Sequence, residues 1–212
     1  FAFGLLFVKN MESIFNLNNQ NSNLDNKIVA GLDRISQVFK TLLWGKSKTY
    51  NLSPIQIQLL IFIEYHSEEK TTISYLSQEF NLAKPTISDT IKTLEQKQFI
   101  KKIVDKNDSR SYRIKLTQTG KNIVLETESF VNPLAEIIAN SNQNDKLVLW
   151  ESITNIIQQL NELKIISVQR TCFNCKFYSD NNNISFCNLL NQNLKTEDIR
   201  IDCEEFELNN SN

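Results

Sequence analysis

The four cysteines of this 212-residue chain all lie in its last fifth, spaced Cys172-x2-Cys175-x11-Cys187-x15-Cys203. A Cys-x-x-Cys turn can offer two thiolates to one centre, and two later cysteines from chain that folds back complete a tetrahedral set. Three readings compete for these residues: free cysteines buried as small hydrophobes, disulfides, and a metal site. Under reducing conditions thiols favour metal over disulfide. A tail of about forty residues also has too little core to fold without a staple. Phe173, Phe177, Tyr178, Phe186 and Phe206 would supply a small apolar shell. The one histidine, His66, belongs to the middle of the chain, near the surface at a helix end, so the site is expected to be all-sulfur. The expected occupant is Zn(2+) as a structural staple. A 4Fe–4S cluster accepts the same four thiolates and is the alternative.

A second group of residues suits a polyanion. Residues 84–121 carry ten Lys or Arg against four Asp or Glu, whereas residues 1–83 are balanced and residues 122–212 have a net charge of −7. A basic island in an otherwise acidic chain fits a binding face, although a solvated surface would show the same charge. Within the island Ile87, Ile91 and Leu94 recur at helical spacing and point inward. That leaves Thr86, Ser88, Asp89, Lys92 and Thr93 outward, with Lys84 at the start. Hydroxyls on such a face reach base edges or phosphates in a major groove, and lysines neutralise backbone charge. Next, Tyr112, Ile114 and Leu116 alternate with Ser111, Arg113, Lys115 and Thr117, the period of a half-buried strand. Ile100 to Asp105, with Lys101, supplies the partner strand. Between the two, Lys106 to Arg110 makes a polar turn whose tip carries cations. A hairpin presenting Arg110 in this position suits a minor groove, where narrow width concentrates negative potential.

The elements that position these residues are legible as periodicities. Ile73, Leu76 and Phe80 predict a short helix, Asn81-Leu82-Ala83 a tight turn, and Pro85 the opening of a second helix. Upstream, Ser53 as N-cap, Pro54 at the first helical position, Gln56 in a capping box and a Leu52–Ile57 staple announce a helix. Its run Leu59-Leu60-Ile61-Phe62-Ile63 is apolar on all sides, so that helix is central. Two long amphipathic stripes flank this block. Ile28, Leu32, Ile35, Phe39 and Leu42 form one, and Leu147, Trp150, Ile153, Ile157, Leu160 and Leu163 form the other. They can pair within one chain or between two chains. The Asn-rich stretch Asn16 to Asn23 reads as disordered.

A 41% hydrophobic content supports a real core, and only four Gly and three Pro argue against an all-β fold with many tight turns. Phe1 to Val8 is apolar but too short to span a bilayer and lacks a signal-peptide start. Met11 is the only methionine, which makes it the expected natural start, with residues 1–10 upstream of it. No other segment reaches membrane-spanning length, so a cytoplasmic location without a membrane partner is expected. The chain offers no Ser-His-Asp set, no phosphate-cradling Gly-rich loop and no paired carboxylates, so it is not expected to be an enzyme.

Residues 25–165 resemble the multiple antibiotic resistance regulator (MarR) family of bacterial transcription factors. Asp108-x-Arg110-Ser111 in the wing and Ile114-x-Leu116-Thr117-x-x-Gly120, leading into a long helix, carry the resemblance. It implies a mainly α (α+β) fold: a winged helix-turn-helix with long dimerisation helices, here with a small cysteine-rich metal-binding tail. It further implies an obligate homodimer held by the first and last long helices, with helix 83–98 reading double-stranded DNA. Arg110 would enter the minor groove and Asp108 would hold the wing through a nearby cation. The DNA-facing set is then Lys84, Thr86, Ser88, Asp89, Lys92, Thr93, Lys101, Asp108, Arg110 and Arg113. Two residues depart from the family pattern. Gln98 stands where a glycine usually provides a left-handed C-cap, and Asp89 stands where a basic residue is common. The tail spacing is loosely similar to that of high-potential iron–sulfur proteins but lacks their glycine near the last ligand.

The expected organisation is a disordered N-terminus (1–23), a winged-helix and dimerisation domain (24–166) and a cysteine-rich extension (167–212). The expected function is repression from a pseudo-palindromic operator. Control would come from a small-molecule effector between the reading lobe and the dimer helices, or from the cysteine site. The alternative is a metal-dependent interaction or redox module that uses the winged helix as a scaffold.

Overall fold

The computed structural model describes residues 13–104, 112–166, 168–181 and 184–209. Asp108 and Arg110 lie outside the described residues, as do Phe1 to Val8 and Met11. The described residues fall into two units that part after Pro54.

The first unit is helical. Helix α1 (Leu17–Ser22) is capped by Asn16, whose side chain accepts from the Asn18 N–H at 3.0 Å. Helix α2 (Leu24–Tyr50) is capped by Asn23, which accepts from the Asn26 N–H at 2.8 Å. The expected disorder of residues 1–23 is therefore corrected over Leu17–Ser22. Asparagines that look like loop composition act as successive N-caps, which satisfy the otherwise orphaned first-turn donors. At its far end α2 stops on Asn51 in the left-handed conformation (φ 50°), and the Leu52 N–H bonds back to the Ser47 carbonyl at 3.1 Å. The stripe of Ile28, Leu32, Ile35 and Phe39 is exposed along the length of α2. The expected 24–166 domain spans both units, since the chain divides after Pro54.

The second unit holds the rest. Its helices are α3 (Pro54–Tyr65), α4 (Ile73–Glu79), α5 (Lys84–Gln96), α6 (Gln118–Thr127), α7 (Asn132–Ala139) and α8 (Gln143–Glu162). Strands β1 (Ile100–Val104) and β2 (Tyr112–Leu116) pair antiparallel in the register Ile100↔Leu116 to Val104↔Tyr112. The core is built as the periodicities require. Ile57, Leu59 and Leu60 of α3, Leu76 of α4, Ile87, Ile91 and Leu94 of α5, Ile114 of β2 and Val124 of α6 are all fully buried. Thr72 caps α4 by accepting from the Tyr75 N–H at 3.2 Å, and Asn81 (φ 50°) turns the chain into α5. The wing is anchored at its base by the Ile114 N–H, which donates to the Thr71 carbonyl at 3.2 Å.

One junction explains the Thr-x-x-Gly signature. Thr117 caps α6, its hydroxyl accepting from the Gly120 N–H at 3.1 Å and donating to the Gln98 carbonyl at 2.6 Å. Gly120 lies against the Phe99 carbonyl so closely that a Cβ there would stand 2.0 Å from its oxygen. Gln98 itself is left-handed (φ 60°), the conformation for which glycine is the unstrained residue.

The cysteine tail is part of this second unit rather than a separate extension. Strands β3 (Tyr178–Asn181), β4 (Ile184–Cys187) and β5 (Gln192–Asn193) form a small antiparallel sheet in the order β3-β4-β5. Among the described residues no helix is long and apolar enough to cross a membrane.

Two substitutions test the junction by urea denaturation. Gly120→Ala should destabilise by about 3 kcal/mol, because the clash is with backbone that no rotamer change relieves. Gln98→Gly should stabilise by about 1 kcal/mol, by removing left-handed strain.

Candidate nucleic-acid interface and its cysteine neighbour

Helix α5 presents its outer face as expected: Lys84, Thr86, Ser88, Asp89 and Lys92 are exposed, and Thr93 is half-buried. Two threonine hydroxyls on this helix are turned onto its own backbone. Thr90 donates to the Thr86 carbonyl at 2.7 Å and Thr93 to the Asp89 carbonyl at 2.9 Å. Thr86, Ser88 and Lys92 therefore remain the better placed reading groups. On the wing Lys101 is exposed and Arg113 half-buried. Several cations of the basic island serve the fold: Lys102 pairs with Glu95 at 2.6 Å and Lys121 with Glu64 at 3.1 Å. Lys115 pairs with Glu68. Besides Lys121, the exposed cations of the island among the described residues are Lys84, Lys92 and Lys101.

The four cysteines are free thiols, which leaves the disulfide reading without support in the fold. Cys172 opens a short turn through Asn174, and the Cys175 N–H donates to the Cys172 carbonyl at 3.0 Å. Cys187 ends β4, paired with Tyr178 on one side and Gln192 on the other. Cys203 follows Asp202, and its N–H donates to the Arg170 carbonyl at 3.1 Å. All four line one cavity of about 270 Å³ together with Phe177, Leu189, Leu190 and Arg200. Burial pushes the Cys172 thiol up, an effect that the other three sulfurs reinforce and the Arg200 N–H opposes.

Sequence reading missed the residue that joins this tail to the reading head. Arg170 is buried, only 6% exposed. Its guanidinium donates to Glu79 twice, at 2.7 and 3.2 Å, to the Tyr75 hydroxyl at 2.8 Å, and to both carboxylate oxygens of Asp202, the second at 3.0 Å. It also lies 5.8 Å from the centre of the Phe62 ring. Burial opposes its charge, but the hydrogen bonds to Asp202 and Glu79 outweigh it and keep its pKa above the ordinary guanidinium value. Burial likewise opposes ionisation of Asp202, and His66 and Arg170 more than offset that, so its carboxyl sits well below the usual range. His66 stacks on Phe62 with ring centres 3.7 Å apart, and its Nε2 meets Asp202 at 2.8 Å. The expected remote surface histidine is thus a contact between head and tail. The available signal was the pair of opposite charges flanking the cysteines, Arg170 two residues before Cys172 and Asp202 immediately before Cys203.

A helix-turn-helix whose second helix is followed by a two-stranded wing and a capped helix defines a winged-helix protein. Residues 50–111 match the sequence model described as the MarR family. The HTH-type transcriptional regulator SarZ of Staphylococcus haemolyticus is 28% identical over 110 residues, 52% of this chain and 73% of SarZ. Among solved structures, Streptococcus pneumoniae FabT in complex with DNA aligns with a TM-score of 0.56 at 21% identity, covering 66% of this chain and 99% of its own. The S. aureus MepR–DNA complex aligns at 0.55 and 20%, covering 62% and 97%. A MarR transcriptional regulator from Methanosarcina mazei Go1 aligns at 0.52 and 22%, covering 66% and 96%. These likenesses establish the fold.

Arg170→Met should cost about 3 kcal/mol in urea denaturation, since it leaves Glu79 and Asp202 without their shared partner. Arg170→Lys should recover little, because an ammonium cannot grip two carboxylates bidentately.

Proposed function

We propose that the protein is a homodimeric DNA-binding repressor, whose two copies of α5 enter successive major grooves of a pseudo-palindromic operator about one helical turn apart. The observation that carries this reading is the exposed face Lys84, Thr86, Ser88 and Lys92 of α5, set beside the β1–β2 wing on a MarR-family frame. FabT and MepR, two proteins of the same fold, were solved in complex with DNA, and SarZ is named a transcriptional regulator. The second copy is called for by apolar surface. Ile28, Leu32, Ile35 and Phe39 of α2 are exposed, as are Ile137 and Ile138 of α7 and Val148, Leu149 and Ile156 of α8. Stripes of this extent on helices mark an interface rather than scattered surface residues.

Asp89 sits in the middle of the reading face. It repels phosphate and accepts hydrogen bonds, so it serves sequence choice, as an acceptor for a cytosine amino group in the major groove. Affinity then rests on Lys84, Lys92 and Lys101, whose phosphate contacts release counterions.

The test is selection of binding sites from randomised duplexes, followed by titration over a salt series. An enriched inverted repeat with half-site centres about 10 base pairs apart is the expected product. Lys84→Ala and Lys92→Ala should each weaken binding evenly across sequences and lower the salt slope by about 1. Unchanged affinity and slope in the double variant would mean that another face meets DNA. Leu32→Glu with Ile35→Glu should yield monomers by light scattering, with operator affinity lost in parallel.

A further inference from the structure

Nothing in DNA reading uses the four cysteines. They face one cavity, yet among the described residues no three His, Cys, Asp or Glu side chains gather closely enough to hold a metal ion. A tetrahedral zinc site needs four sulfurs about 2.3 Å from a single point. Here the four cysteines line a common space. At about 270 Å³ that space equals roughly nine waters at about 30 Å³ each, room for a compact body of several heavy atoms.

We propose that this cavity is the seat of a 4Fe–4S cluster, with Cys172, Cys175, Cys187 and Cys203 each giving one thiolate to one iron. The chain topology suits that division of labour. The short turn at Cys172–Asn174 supplies two ligands, the end of β4 a third, and the strand returning past Asp202 a fourth, so the ligands approach from three directions. Arg200 supplies the donors that ligating sulfurs take. Its N–H lies 3.3 Å from the Cys172 Sγ and its Nη1 lies 3.7 Å from the Cys203 Sγ. Its charge offsets part of the negative charge of four thiolates. Phe177, Leu189 and Leu190 form the apolar wall that limits water. Three carboxylates also line the cavity, but two of them, Glu197 and Glu205, are solvent-exposed. The third, Asp198, is engaged by the Lys195 N–H at 2.9 Å. The ligand set is therefore all-sulfur and favours iron–sulfur chemistry over an oxygen-liganded cation.

Each thiol gives up its proton on ligation, so occupancy falls with acid. This inference does not rest on the DNA-reading function, because its primary readout is composition rather than affinity.

The experiment is anaerobic purification of the full chain, followed by iron, acid-labile sulfide and zinc analysis with a visible absorption spectrum. About four iron and about four sulfide per chain with a brown colour is the expected result. A colourless protein, carrying one zinc per chain or no metal, overturns the proposal. Cys187→Ser and Cys203→Ser should each lose more than half of the iron and bleach the colour. A folded Cys187→Ser variant, checked by circular dichroism, that keeps the wild-type iron and sulfide content overturns the ligand assignment. If either variant fails to fold, the wild-type ratio of iron to sulfide still decides the matter.

Discussion

A single buried guanidinium holds the second unit together. Arg170 brings a full charge to a site that is only 6% exposed, and a charge taken out of water costs several kcal/mol unless it is neutralised and its donors are met. Glu79, Asp202 and the Tyr75 hydroxyl meet them, with the Phe62 face below. The satisfying groups come from α3, α4 and the strand that leads into Cys203. An alternative packing of the tail would have to bury this charge unpaired, so the arrangement supplies specificity more than net stability. Around Arg170 the chain pairs with itself in parallel at Asp202, and the backbone bonds of Cys172 to Arg200 and of Cys203 to Arg170 follow from that pairing. The positions of two of the four thiols are thus set by an ion pair formed with the reading head.

The reading helix is fixed by packing of another kind. Ile87, Ile91 and Leu94 are fully buried, with α5 packed on α4 and β1, so the orientation of the exposed face follows from the core, and the Glu95–Lys102 pair ties the helix to β1. Beyond its C-terminus the chain has one left-handed residue, Gln98, in which to reverse into β1, and the Thr117 hydroxyl bonds the Gln98 carbonyl from the far side of the wing. Gly120 completes the clasp by admitting the Phe99 carbonyl where any side chain would collide with it. Helix, wing and following helix are thereby held as one piece.

Local chemistry was legible in the sequence and remote chemistry was not. Asn81 as a turn, the β1–β2 alternation and Thr117 before Gly120 each rest on residues a few positions apart, where spacing dictates geometry. Asn16 and Asn23 misled because asparagine serves loops and N-caps equally, and only the following backbone distinguishes them. An amphipathic stripe such as that of α2 announces that it will be covered without saying by which chain. Arg170 and Glu79 are 91 residues apart, and no periodicity connects them. The four cysteines line one cavity, but whether four sulfurs converge on a point or surround a volume depends on how β4 and the segment around Arg200 close, which spacing does not encode.

The same linkage carries a consequence for regulation. The two segments that bear Cys172 and Cys203 meet at the Arg170–Asp202 bridge, and Arg170 grips Glu79 at the end of α4, the helix directly before the turn into α5. An occupant of the cysteine cavity that prefers one closure of those segments also prefers one position of Arg170, and so one seating of α4 under the reading helix. The response is displacement of a packed body rather than melting, because Leu76 and Ile87 lie in a continuous buried core. The shift cannot exceed the occupant's difference in affinity for the two arrangements. Coupling of this sort typically amounts to about 1–3 kcal/mol, and it acts in both directions.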